Sequence, residues 1–292
     1  MPLPVPGFDP HWLADLRARA ELPPLQARVP LMAGQDVIGS VLPDFGGQIG
    51  LQPPNDVLEQ LSKVERSKSG HVPGSGHKAA AWRITGPVTD SLDRLARALR
   101  DAGVGHVAQH WRNEALAVHS ASGEHKGERL GEVERGAVRT LGITTRAVHM
   151  VGFAEDGRVW VQQRALSKAN DPGQWDTLMG GMVSSKDTMQ TALARETWEE
   201  AGLHLDQLQA VQRGGSITVR RPTGEPDDGG VGYVIEDTDW FHCTVPDGVV
   251  PVNQDGEVEQ FLLLAPDELV ARLQRNEFTL EAALILVAAL EL

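Results

Sequence analysis

Between residues 89 and 102, Leu92, Leu95, Ala96 and Leu99 recur at helical spacing, so this stretch is predicted as a helix, with Thr89 as candidate cap and Gly103 as terminator. Residues 9 to 21 also read as a helix, closed off by Pro23 and Pro24. From there to Pro54 the chain is broken by Gly34, Gly39, Gly46, Gly47 and Gly50 into short apolar runs, of which 36 to 42 suits a small hairpin. Residues 115 to 119 fit a short strand and 120 to 128 a polar turn. From Arg146 the period becomes that of strands. Residues 147 to 153 and 158 to 164 flank Asp156-Gly157, a hairpin signal, and 175 to 179 lead into a loop at Gly180-Gly181. Further strands are predicted at 208–213, 216–221, 232–245 and 258–264, and final helices at 266–275 and 280–290. Strands with intervening helices imply a mixed sheet covered by helices, an α/β class. A boundary between about Arg129 and Thr140 divides the chain into a smaller α+β domain, 1–135, and an α/β domain, 136–292.

The stretch from 181 to 203 carries the most chemistry. Asp187 followed by Gln190 is a capping-box arrangement, so a helix should start near Thr188, and Gly202 should end it near Ala201. On that helix Glu196, Glu199 and Glu200 stand at i, i+3 and i+4, so their carboxylates are expected on one face. Ala194, Trp198 and Ala201 are expected on the other, packed on a sheet. Carboxylates crowded to ~4 Å repel by about 1 to 4 kcal/mol per pair, a penalty that a divalent cation removes. Oxygen-only ligands favour Mg2+ or Mn2+ over zinc. The competing reading of Glu-x-x-Glu-Glu alone is a solvated acidic helix.

In the register of Gly181, Arg195, Glu196, Glu199, Glu200, Gly202 and Leu203 this segment resembles the Nudix box, a Gly, five residues, a Glu, seven residues, then Arg-Glu-aliphatic-any-Glu-Glu-any-Gly-aliphatic. Asp187 and Thr197 depart from the pattern, and Lys186 replaces a common Gly. The invariant-type positions would coincide by chance with a probability on the order of 10⁻⁵ to 10⁻⁴. The resemblance implies an α/β/α sandwich over roughly the C-terminal half and hydrolysis of a diphosphate bond. It assigns Glu196, Glu199, Glu200 and the Gly181 carbonyl as metal ligands. Arg195 orients the glutamates, and one of Glu196, Glu199 and Glu200 activates water. A further carboxylate is expected from the loop before the strand at 258–264, with Glu257 first and Glu259 second; an ordinary acidic turn is the alternative. Arg164 and Lys168 are candidate phosphate contacts or solvated loop residues.

Residues 111–114, 168–176, 255–261 and 276–278 look like the Nudix proteins related to thiamine pyrophosphokinase, which carry an additional N-terminal domain. That implies thiamine diphosphate or an oxidised analogue as substrate class. Trp111 is then a candidate surface for a substrate ring, or a core tryptophan.

The chain has 292 residues and is 41% hydrophobic, ample for a real core. A net charge of −13 with no basic run excludes a protein that grips a nucleic-acid polymer. The single cysteine, Cys243, excludes an internal disulfide and suits a reducing compartment. The proline-rich start does not read as a signal peptide and no uninterrupted 18-residue apolar stretch occurs, so the expected location is the cytoplasm, with no membrane partner. The expected partners are a small-molecule diphosphate and, where the chain self-associates, a second copy in a homodimer. Residues 70–78 lack Walker spacing and read as a linker, and neither His-Glu-x-x-His nor Gly-x-Ser-x-Gly occurs. Two alternatives stay open: a non-catalytic Nudix ligand-binding module, and an isomerase of the isopentenyl diphosphate type, whose catalytic cysteine would have to be Cys243. ADP-ribose, dinucleotides, coenzyme A and oxidised nucleotides are alternative substrates.

Overall fold

The computed structural model describes residues 7–50, 57–61, 81–223 and 230–291; the linker expected at 70–78 lies outside them. The chain forms two compact units, one of Met1–Leu22, Arg146–Val219 and Glu236–Leu292, the other of Pro23–Thr145 and Arg220–Ile235.

In the first unit, helix α1 (Pro10–Arg19) starts at Asp9, whose carboxylate accepts from the amides of His11 and Trp12. The second unit opens with β1 (Val29–Ala33) and β2 (Asp36–Val41), an antiparallel hairpin as expected, turning at Gly34 with φ +60°. The short helix α2 (Phe45–Gln48), β3 (Leu58–Leu61) and β4 (Ala81–Ile84) follow, and the four strands make a mixed sheet in the order β2-β1-β4-β3. Helix α3 (Val88–Ala102) buries Leu92, Leu95, Ala96 and Leu99 and stops at Gly103, φ +69°. Thr89 is not its cap. Pro87 holds that position, and the Thr89 hydroxyl instead accepts from the Glu132 amide. After α4 (Val107–His110) come β5 (Ala115–His119) and β6 (Arg129–Glu134), an antiparallel pair. The stretch expected to be a domain boundary therefore contains a paired strand.

The remaining elements build the seven-stranded sheet of the first unit: β7 (Thr145–Ala154), β8 (Val159–Arg164), β9 (Trp175–Asp176), β10 (Met179–Met182), β11 (Gln209–Pro222), β12 (Tyr233–Val245) and β13 (Val258–Leu264). The main order is β11-β12-β7-β8-β13, with β10 antiparallel to β7 and β9 antiparallel to β8. Helices α5 (Met189–Ala201), α6 (Pro266–Gln274) and α7 (Leu280–Leu290) complete the chain.

Alternation along the strands sorts the apolar side chains onto two faces. Val151, Val159 and Val161 join Leu16 of α1 and the apolar faces of α6 and α7 in one cluster; Val148, Met150, Leu178 and Met179 join Ala192 and Leu193 of α5 in another. The result is a helix-sheet-helix sandwich.

Three expectations about this unit are corrected. The expected strands at 208–213 and 216–221 are one strand, β11, because Gly214 and Gly215 lie under the Trp240 ring, where a side chain at Gly214 would overlap the indole. Gly180 and Gly181 are not in a loop but paired in β10 against His149 and Val148. The units also divide differently from the expected 1–135 and 136–292: α1 belongs with the C-terminal elements, its Trp12 indole donating to Asn276 at 3.2 Å and the Asp9 amide to Gln274 at 2.8 Å. Among the described residues no helix is long and apolar enough to cross a membrane.

Candidate active site

Helix α5 starts at Thr188. Its hydroxyl accepts from the Thr191 amide at 3.2 Å while the Thr191 hydroxyl accepts from the Thr188 amide at 2.8 Å, closing a capping box one residue later than expected. Asp187 is thereby free for another task. Its carboxylate accepts from Arg195 Nε at 3.1 Å and Nη2 at 2.9 Å, and from the Ser184 hydroxyl at 3.1 Å. Burial works against its charge, but Arg195, Ser184 and Thr191 together hold this acid below the usual carboxylate range.

Arg195 is the hub. Its Nη1 donates to Glu196 Oε1 at 2.8 Å and to Glu199 Oε2 at 2.9 Å, and its Nη2 reaches the Met182 carbonyl at 3.3 Å. Burial alone would weaken its charge; Glu196, Asp187 and Glu199 overcome that and raise its pKa. Opposite, β10 places Gly181 against Glu196. A methyl group there would overlap the Glu196 carboxylate, which is why this position has no side chain. Gly180 is constrained in the same way by the His149 ring.

The three glutamates span a sector of about 100° of the helix, with Glu200 at its buried edge. Glu199 and Glu200 are neighbours in sequence and so stand about 100° apart around the helix axis. Glu196 and Glu199 meet at Arg195, whereas Glu200 turns inward and is 2% exposed. Its Oε2 accepts from the Gly180 amide at 2.9 Å and the Gln162 amide nitrogen at 2.7 Å, and Lys168 Nζ lies 3.8 Å from its Oε1. Burial pushes the Glu200 carboxyl up to about 8, with Lys168, Gly180 and Gln162 offsetting part of the effect. The buried face of α5 is also not the expected one. Ala192, Leu193, Thr197, Glu200 and Ala201 are buried, while Ala194 is exposed and Trp198, 42% exposed, stacks on His204 with ring centres 4.5 Å apart. Thr197, a departure from the box, is buried without penalty because its hydroxyl donates to the Leu193 carbonyl at 2.6 Å.

Glu257 comes from a tight loop in which Asn253 Oδ1 accepts from the amides of Asp255 and Gly256, each at 3.2 Å. Its carbonyl accepts from the Ala165 amide at 2.9 Å, and its carboxylate is paired with Lys168 Nζ. Lys168, Glu200 and Glu257 are thus brought together from three separate parts of the chain. Glu259, the second choice, is exposed. Arg164 points elsewhere, to Asp176 Oδ2 at 3.3 Å and the Asn170 carbonyl at 3.1 Å from Nη2. Trp111 belongs to the other unit, where its indole donates to Asn113 at 2.9 Å and the Arg100 guanidinium lies 4.6 Å from its ring centre.

Residues outside the sequence reading complete the floor of the site. Gln162 fixes Glu200, and His149 Nδ1 lies 3.0 Å from the Thr177 hydroxyl and 3.5 Å from Asp176. Burial lowers the His149 pKa, with Asp176 and Glu281 opposing. For His149 the signal was present, a polar residue interrupting the apolar run of β7; Gln162 opens the polar Gln-Gln-Arg end of β8 and carried no such signal.

The donor set of Glu196, Glu199, Glu200 and the Gly181 carbonyl is oxygen throughout and suits magnesium or manganese. Glu196 and Glu199 already converge on a single cationic nitrogen, and Gly181 leaves its backbone open to them. Among the described residues no three His, Cys, Asp or Glu side chains are grouped as a finished cage. The donors fit a hard cation; Arg195 and Lys168 supply the positive charge that balances them.

The model of the NUDIX domain family matches residues 143–284. An uncharacterized protein of Saccharomyces cerevisiae is 26% identical over 212 residues, 67% of this chain and 59% of that protein. "Nudix hydrolase 20, chloroplastic" of Arabidopsis thaliana is 31% identical over 160 residues, 50% of this chain and 38% of that protein. The isopentenyl-diphosphate Delta-isomerase of Streptomyces avermitilis is 28% identical over 158 residues, 53% of this chain and 75% of the isomerase. The chain spans less than two thirds of the length of the yeast and Arabidopsis relatives.

Proposed function

We propose that this chain, whose residues 143–284 are a Nudix domain, is a metal-dependent hydrolase that cleaves the diphosphate bond of a small organic diphosphate. The observation that carries the reading is the Arg195 guanidinium gripping Asp187, Glu196 and Glu199 at once beside Gly181, where the Glu196 carboxylate fills the space of a side chain.

Glu196, Glu199, Glu200 and the Gly181 carbonyl would hold a divalent cation. When bound, such an ion screens phosphate oxygens and acidifies a coordinated water. The chain's own residues supply the rest. Arg195 fixes the directions of Glu196 and Glu199 by holding Oε1 of the first and Oε2 of the second. Either of these two is placed to accept a proton from water. Lys168 offers an ammonium for a phosphate oxygen, and the Lys168–Glu257 pair brings a further acid to the same corner. Arg164, fixed by Asp176 and Asn170, serves as a backing charge.

For the group attached to the diphosphate, the resemblance of the short motifs supports thiamine diphosphate or an oxidised analogue. The single cysteine supports a reducing compartment such as the cytoplasm. Against the isomerase alternative stands its nucleophile. Cys243 is 1% exposed within an apolar cluster and burial pushes its thiol up to about 12, so no thiolate is available there.

The test is a phosphate-release panel with Mg2+ over thiamine diphosphate, its oxidised forms, ADP-ribose, dinucleotides, coenzyme A and oxidised nucleotides. Glu199→Gln and Glu200→Gln should each reduce turnover of the preferred compound by roughly 10² or more. Turnover indifferent to both changes would reject the site.

A further inference from the structure

Lys168 occupies a position that the hydrolytic reading alone does not explain. Its ammonium is paired with Glu257 from the loop before β13 and lies 3.8 Å from Glu200 on α5, while its side chain is only 19% exposed. The long stem is held against the protein and the charged end is inserted between two acids that the fold brings together. The same corner has an unfinished hydrogen-bonding pattern. Gln162 is 1% exposed and gives its amide nitrogen to Glu200, yet its Oε1 is buried with no donor. An unmet acceptor at that depth costs free energy and marks a place completed by something else.

We propose that Lys168 is a built-in counter-ion: it pairs with Glu257 beside Glu200 while the site is empty, and a divalent cation must displace it to enter. Two positive charges cannot share this space. At a few ångströms their repulsion in a partly buried site is worth about as much as the ion pair that is lost. Displacement has a second effect, because the released ammonium is then free to meet a phosphate oxygen. Cation entry thus prepares the anion contact, which couples the two binding events. The inference rests on the hydrolase reading for the identity of the cation, and on the geometry of Lys168, Glu200 and Glu257 for everything else.

Titration calorimetry of the full chain with Mn2+ alone, without substrate, separates the two. Lys168→Met should bind Mn2+ about tenfold more tightly than wild type, since no ammonium has to leave, whereas Lys168→Arg should bind like wild type. Equal or weaker binding by Lys168→Met, with Mn2+ uptake intact in wild type and lost in Glu199→Gln, overturns the counter-ion role and leaves the hydrolase reading standing. No Mn2+ uptake by any form overturns both. Should Lys168→Met fail to fold, acetic anhydride labelling of the wild-type chain gives the answer by mass spectrometry. Lys168 should be modified faster with Mg2+ present than without, and an unchanged or slower rate overturns the proposal.

Discussion

Glu200 shows how one side chain takes its character from its surroundings. Burial raises its pKa to about 8 from an ordinary value of 4.5, although Lys168 and the hydrogen bonds from the Gly180 amide and Gln162 pull it the other way. Between those two values the folded chain holds a proton that the unfolded chain has released. Stability of the cation-free protein therefore falls as pH rises through that window, the reverse of the usual carboxylate behaviour. In EDTA, the melting temperature of wild type should drop relative to Glu200→Gln between pH 5 and pH 8. A constant difference between the two would show that the burial does not act on this proton. Asp187 illustrates the opposite case. In the sequence it looks like a helix cap, but two bonds to Arg195 hold it in the charged form, and Thr188 does the capping. A cap is a role any short polar side chain can fill, so the neighbouring threonine takes it and the acid goes to the strongest cation within reach.

At the scale of elements, α5 is fixed at both ends and the site depends on each. Gly202 has φ +63°, and a methyl group there would meet the Val252 carbonyl. The same end is tied to the following loop by the Val252 amide donating to the Ala201 carbonyl at 2.8 Å and the Gln254 amide to Glu199 at 3.0 Å. Gly202→Ala should cost at least about 1 kcal/mol of stability, from the left-handed backbone alone. Because the loop leads on to Glu257, turnover should fall as well. A variant with unchanged denaturant midpoint would contradict this account of the terminus. The edges of α5 were legible because caps and terminal glycines are local chemistry. Which face it buries was not: Trp198 has the larger apolar area, but the sheet lies under Ala192, Leu193 and Thr197, and Trp198 is left to stack on His204.

At the scale of the whole molecule, α1 is the element most easily misassigned. It is the first helix in the chain, yet Leu16 is fully buried in the cluster formed by α6, α7 and one face of the large sheet, with Phe8, Trp12 and Leu13 packed around it. Burying one leucine in this way is worth roughly 1.5 to 3 kcal/mol, and the aromatic neighbours add to it. A fragment of residues 136–292 should therefore aggregate or melt well below the full chain, and a peptide of residues 7–22 added in trans should recover part of the loss. Equal melting of fragment and full chain would show that the helix contributes nothing to this core. The second unit returns the same lesson. Its Arg28 guanidinium ties Ser40, Thr140 and Val231, three distant stretches, by donating to hydroxyl and carbonyl oxygens.

By itself the sequence determined the strand and helix periods, the glycine-terminated acidic helix and the register of Arg195 with its glutamates, because each of these depends on residues within a few turns of one another. Only the tertiary structure decided that Glu200 faces inward, that Lys168 reaches Glu257, that Gly180 and Gly181 pair in a strand, and that the first helix closes the core of the last ones. Those outcomes depend on which surfaces meet after the chain has turned back on itself, and a contact between residues 168, 200 and 257 leaves no periodic trace along the chain.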